Sequence, residues 1–295
     1  MQSSHEWFKG FYTAYKEMNP QAYAIGEVYG AGSSVIKSYT GDQLDHVFNF
    51  EMSSGFVNSV NGGANSGVNS AFKFVFQDMP DFNYATFLTN HDQNRVMSVF
   101  NGNTGKAKAA ASLLLTSPGT PYIYFGEEIG MTGKKPDEDI RVPMQWSDAE
   151  NAGFTTGTPW RALNSDYETV NIAAQLNDPD SLLNHYRTLI QLRKEHSALL
   201  SGDAILVETG NSGVFALLRT SDNEKILIIV NLKDETISDY KLSLKENILT
   251  DGTFLPASLF GTLQAQPLEI SGGQFTGYQP ISELLPYQTY IFQLK

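Results

Sequence analysis

Residues Tyr84-Ala-Thr-Phe-Leu-Thr-Asn-His-Asp-Gln-Asn-Arg95 run from an apolar stretch of strand character straight into a cluster of amides, acid and bases. In a parallel α/β architecture functional side chains gather at the C-terminal ends of strands, where each loop to the next helix begins. Upstream, the short apolar run from Ala22 to Tyr29 carries one acid, Glu27, near its C-terminal end. Around these two stretches the chain alternates. Aromatics at three- and four-residue spacings predict a helix over 4–18 with Ser4 as its cap, and Asn19-Pro20 stops it. A strand over 44–50 precedes a helical pattern from Phe56 to Phe76 that Gly62 and Gly63 dilute into one irregular helix. A helix over 106–116 ends at Pro118-Gly-Thr-Pro121, and Tyr122-Ile-Tyr-Phe125 reads as a fourth strand. Residues 131–178 form a long loop rich in Gly, Pro, Asp and Asn. Asp178-Pro179 then supplies a cap and a first-turn proline for a helix that ends near Gly202. Four strands, each followed by a helical segment, predict a parallel sheet or part of a barrel.

From Ala204 the character changes. Residues 205–207, 214–218, 225–231, 240–244 and 289–294 are short alternating runs between Gly, Asn and Asp turns, an all-β unit of about ninety residues. The expected division is therefore 1–203 and 204–295. The 295 residues suffice for two such units with a substantial core. A net charge of −12 repels phosphate backbones and anionic headgroups, which argues against nucleic acid and membrane surfaces as partners. Without cysteine there is no disulfide framework and no thiolate chemistry. No basic segment leads into an apolar one at the N-terminus, and no apolar run is long enough to span a bilayer, so the expectation is a soluble chain without a targeting segment. Many uncharged polar residues beside 12% aromatics suit a neutral, hydroxyl-rich ligand, and equally suit turn chemistry.

Glu27 and Asp92 stand at neighbouring strand ends. Two carboxylates so placed are the equipment for acetal cleavage: one protonates the leaving oxygen while the other stabilises or traps the oxocarbenium-like centre. His91 and Arg95 would donate hydrogen bonds to sugar hydroxyls. Helix capping or pairing with Arg and Lys accounts for two such carboxylates just as well.

Three motifs then resemble one family. Ala24-Ile-Gly-Glu-Val-Tyr29 resembles the fifth-strand motif of the α-amylase family, glycoside hydrolase family thirteen. Phe87-Leu-Thr-Asn-His-Asp-Gln-Asn-Arg95 resembles its seventh-strand motif, and Arg141-Val-Pro-Met-Gln-Trp146 the segment after strand eight of oligosaccharide-cleaving members. The resemblance covers the whole chain and implies half of a TIM (β/α)8 barrel, strands five to eight with their helices, followed by a C-terminal β-sandwich. It implies Glu27 as the general acid/base, Asp92 as the carboxylate that stabilises the transition state, and His91 as a sugar ligand. Tyr29, Asn90, Arg95 and Arg141 are implied to lie near the cleft. The substrates implied are starch or maltooligosaccharides.

The family's nucleophile, an aspartate in a G-F-R-x-D-type motif on strand four, has no counterpart in this chain. Most of the family's calcium ligands belong with the same absent strands, so no cofactor is expected in this chain, although calcium is possible in a full-length relative. Glu51 is a conceivable replacement acid, with an ordinary surface carboxylate as the simpler reading. Asp137-Glu138-Asp139 reads as a solvated loop rather than a cation site. Four strands cannot close an eight-stranded barrel. The expectations are self-association as a homo-oligomer, a complementary N-terminal half, or a non-catalytic carbohydrate-binding remnant, with a transglycosylating relative as a further alternative. Family members are secreted or cytoplasmic, so the compartment stays open.

Overall fold

A computed structural model describes residues 2–261 and 264–295. Four short strands, β1 (Ile25–Gly26), β2 (His46–Phe48), β3 (Tyr84–Thr86) and β4 (Thr120–Pro121), form one parallel sheet in chain order. Its register pairs Ile25 with His46, Val47 with Tyr84 and Ala85 with Thr120. Helix α1 (Gln2–Met18) precedes β1, and the short α2 (Ser33–Ile36) lies between β1 and β2. Helices α3 (Phe50–Gly62) and α4 (Ser66–Asp78) connect β2 to β3, and α5 (Val96–Val99) and α6 (Thr104–Thr116) connect β3 to β4. Beyond β4 come α7 (Asp137–Ile140), α8 (Ile172–Leu176), α9 (Leu182–Glu195) and α10 (Ser197–Ser201).

Several local expectations are corrected. The single irregular helix is two: Gly63 adopts φ 66°, a left-handed conformation that closes α3 before α4 begins. These helices pack so closely that a Cβ on Gly55 would lie 2.9 Å from the Ala71 Cβ. Ser4 lies inside α1 and does not cap it. The cap of α9 is Ser181, whose hydroxyl accepts from the Asn184 amide at 3.1 Å, and Asp178-Pro179 forms the turn ahead of it. The fourth strand occupies 120–121 rather than 122–125, because the chain leaves the ladder after Tyr122 donates its amide to the Thr86 carbonyl.

The remaining chain forms a five-stranded antiparallel sheet in the order β10-β13-β7-β6-β5, from β5 (Asp203–Leu206), β6 (Val214–Thr220), β7 (Lys225–Asn231), β10 (Ala257–Phe260) and β13 (Thr289–Gln293). Two further pairs cover it: β8 (Leu242–Leu244) with β12 (Phe275–Tyr278), and β9 (Gly252–Phe254) with β11 (Leu268–Ile270).

Strand alternation sends β6 and β7 into two cores at once. Phe215, Leu217, Ile226, Ile228 and Val230 pack in one cluster with the residues of α3, α4, α6 and α9. Val214, Ala216, Leu218, Leu227 and Ile229 face the other way, among Leu242, Leu244, Leu268 and Phe275. The first core therefore crosses residue 203 without a break. Buried arginines reinforce the seam: Arg219 on β6 donates to the Thr116 carbonyl at 2.6 Å and the Gly202 carbonyl at 2.8 Å. Arg193 on α9 donates to the carbonyls of Leu115, Ser117 and Gly119. Both thereby satisfy carbonyls at the end of α6 that no intrahelical donor reaches. Among the described residues no helix is long and apolar enough to cross a membrane.

Candidate active site

The site is built from two strand ends. At β1, Gly26 lets the strand approach its neighbour: a Cβ there would sit 2.4 Å from Leu44 Cδ1. The next residue, Glu27, is exposed and lines a cleft of about 160 Å³ together with Thr89, Asn90 and His91. The apolar part of that cleft is an aromatic cluster. Phe48 meets Phe87 at 5.5 Å and Tyr122 at 5.0 Å between ring centroids, both edge to face. Tyr29 does not line it. Its ring is 76% exposed and packs edge-on against Phe50.

At β3 the chain turns through residues 90–94, with Asn90 Oδ1 accepting the Asp92 amide at 3.0 Å. Asn90 and His91 face the Glu27 cleft, whereas Asp92 lines the opposite flank with Ser53, Ser54, Gln93 and Asn94. There it is held by Arg141, whose Nη2 donates to Asp92 Oδ1 at 2.8 Å and to Asp137 Oδ2 at 2.9 Å, while Nε donates to the His91 carbonyl at 2.9 Å. Arg141 thus ties the loop after β4 to the loop after β3 and engages the candidate carboxylate directly. His91 Nε2 lies 3.5 Å from the same Asp92 oxygen. The acidic run is likewise engaged: Asp137 pairs with Lys135 and Arg141, and Asp139 with Arg161.

Residues 1–202 match the family model described as alpha amylase, catalytic domain. The chain belongs to the α-amylase family. It is 35% identical over 246 residues to alpha-amylase 3 of Dictyoglomus thermophilum, covering 82% of this chain and 49% of that one. Against an oligo-1,6-glucosidase of Halalkalibacterium halodurans it is 28% identical, covering 91% of this chain and 54% of the relative. The crystal structure of an α-amylase from H. orenii superposes with a TM-score of 0.80 at 28% identity, covering all of this chain and 57% of the other. The chain spans about half the length of the curated relatives it matches.

Within this α-amylase family chain, two candidates are engaged by the protein itself. Arg95, expected near the cleft, is 2% exposed. It donates to the Phe125 carbonyl at 2.6 Å and lies 4.6 Å from the ring centres of both Phe125 and Tyr124, the latter a residue that lines the cleft. Burial lowers its pKa, opposed by Tyr124, Glu127 and Glu128. Glu51, the conceivable replacement acid, sits in the first turn of α3 and accepts both the amide and the hydroxyl of Ser33, at 2.7 and 2.6 Å. It is neither a cleft residue nor a free surface carboxylate.

One residue escaped the sequence reading. Glu127, in a 3-10 turn over 127–129, is 4% exposed and accepts the Tyr186 hydroxyl at 2.8 Å. Burial pushes its carboxyl up to about 8; the Tyr186 hydrogen bond works against that shift and neighbouring Glu128 adds to it. The available signal was Gly126-Glu-Glu-Ile-Gly130, acids bracketed by glycines directly after the fourth strand.

Proposed function

We propose that residues 1–203 are the C-terminal half of an α-amylase-type (β/α)8 barrel, that 204–295 are its C-terminal β-sandwich, and that the site acts on α-glucosidic bonds of maltooligosaccharides or starch. The observation that carries this is the convergence of Glu27, Asn90 and His91 on one aromatic-lined cleft at the C-terminal edge of a parallel sheet. In this reading Glu27 protonates the glycosidic oxygen. Asn90 and His91 bind sugar hydroxyls, and the face of Tyr122 or Phe48 takes the apolar side of a sugar ring. Asp92 is the second carboxylate. For it to reach the cleft, the Arg141 contact must give way, with Arg141 and Tyr29 left at the rim to bind the substrate.

The chain supplies no G-F-R-x-D aspartate, so a retaining double displacement needs a nucleophile from elsewhere. Among the described residues, the edges β1 and β4 have no strand partners on their outer sides. In this reading a second copy, or an N-terminal half that would also carry any calcium site, completes the barrel against these edges. The alternative reading is oligosaccharide binding without turnover.

Light scattering combined with maltooligosaccharide hydrolysis tests the proposal. A compact monomer would refute self-association. Hydrolysis that Glu27→Gln abolishes, with the melting temperature unchanged because the side chain is exposed, supports the catalytic reading. Equal turnover by wild type and mutant removes it, and binding without turnover in both favours the second reading.

A further inference from the structure

Loop 90–94 is exposed in its middle and anchored at both ends in one buried cluster. Upstream, Thr89 is buried and its backbone faces the Glu127 carboxyl. Downstream, buried Arg95 donates its amide to the Gly133 carbonyl at 3.0 Å and its guanidinium to the Phe125 carbonyl. Between them lies Glu127, tied by its Oε1 to Tyr186 on α9. Its turn is fixed by the main chain. Gly126 and Gly130 adopt φ 79° and 80°, and a Cβ on either would meet Met131 Sδ at 2.2 Å or Met97 Cε at 2.7 Å.

The cluster is incompletely paired. Glu127 Oε2, Glu128 Oε2 and both Nε and Nη2 of Arg95 have no hydrogen-bond partner among the described residues. Half-satisfied buried charge costs stability that an apolar side chain of the same size would not. Such breaches of packing economy concentrate at functional sites. Glu127 is also the one carboxyl here that faces the backbone of Thr89 and the charge of Arg95 together.

We propose that Glu127, with Tyr186 and Arg95, is a positioning residue that fixes loop 90–94 from beneath and thereby sets Asn90, His91 and Asp92, an inference resting on the reading that this loop binds sugar. The carboxyl acts through the loop and touches no substrate. The titratable groups facing it are Tyr186 from α9, Glu128 from its own turn and Arg95 from the loop end. Ionisation of Glu127 above pH 8 buries a carboxylate that only the half-paired Arg95 opposes, and so changes how firmly the loop is held.

Hydrogen exchange of the whole chain, read at residues 89–95 and at β6 and β7, tests this alongside calorimetric titration with maltotriose. Tyr186→Phe and Glu127→Ala should each raise exchange at 89–95 by about tenfold, with β6 and β7 unchanged, because each removes the buried hydrogen bond that anchors the cluster to α9. Maltotriose affinity should fall in parallel. Glu127→Gln, which keeps an acceptor for Tyr186 and cannot ionise, should match wild type below pH 7 and remove the affinity change that wild type shows through pH 8. Unchanged exchange at 89–95, or a rise spread equally over β6 and β7, overturns the inference. If Glu127→Ala does not fold, Tyr186→Phe decides. If wild type binds no maltotriose, the sugar-binding reading fails, and the exchange data still decide whether Glu127 positions the loop.

Discussion

The two principal sheets are constructed in opposite ways. The antiparallel sheet has seven-residue central strands buried on both faces, while the parallel sheet has strands of two or three residues and opens one aromatic end into a cleft. The most deeply buried strands therefore lie away from the candidate site, which stands at the end of a sheet whose edges are unpaired among the described residues. Residues that bind or react sit on loops held by a scaffold elsewhere.

The largest effect should come from the buried ribbon. Ile228→Ala, at a fully buried position shared with the helices, should cost about 2–5 kcal/mol in urea unfolding, with β and helical signals lost in one transition. A separate β transition would break the comparison.

Next in size is the seam. His185 hydrogen-bonds to Ser112, which also accepts from Thr289 on β13, and burial lowers the imidazole to about 4. A histidine kept neutral in the fold binds its proton more readily when unfolded. Stability should therefore fall as pH drops from about 6.5 towards 4, by on the order of 3 kcal/mol at most, and His185→Gln should flatten that slope. Thermal melts over that range check it, and an unchanged slope in the variant would place the acid sensitivity elsewhere.

The smallest effect belongs to the open side. Trp7, 63% exposed, stacks on Phe11 with centroids 5.4 Å apart on the outer face of α1. Trp7→Ser should change unfolding free energy by less than about 0.5 kcal/mol while weakening any self-association seen by light scattering. A larger loss of stability would mean that this face is already packed within the chain.

Much of this contrast was legible in the sequence. Apolar runs of Ala and Leu marked α6, alternation marked β6 and β7, and Glu27 was singled out as a lone charge near the end of an apolar run, Asp92 and His91 by the polar cluster that ends the third strand. Strands β9 to β12 escaped, being three or four residues long with half their side chains in solvent, too short for alternation to register. The engagement of Asp92 by Arg141 and the burial of Arg95 were also hidden. Each depends on where a loop some thirty to fifty residues distant comes to rest, which local pattern does not encode.

The seam at residue 203 bears on how such chains can change over time. Ile226, Ile228 and Val230 lend one face of β7 to the helices, and Arg219 closes the end of α6. The β unit is consequently not a cassette. A gene fusion that exchanged it for a foreign one would strip the helical layer of its lid, so descent would keep the two halves of that interface together and vary the sugar-facing loops independently.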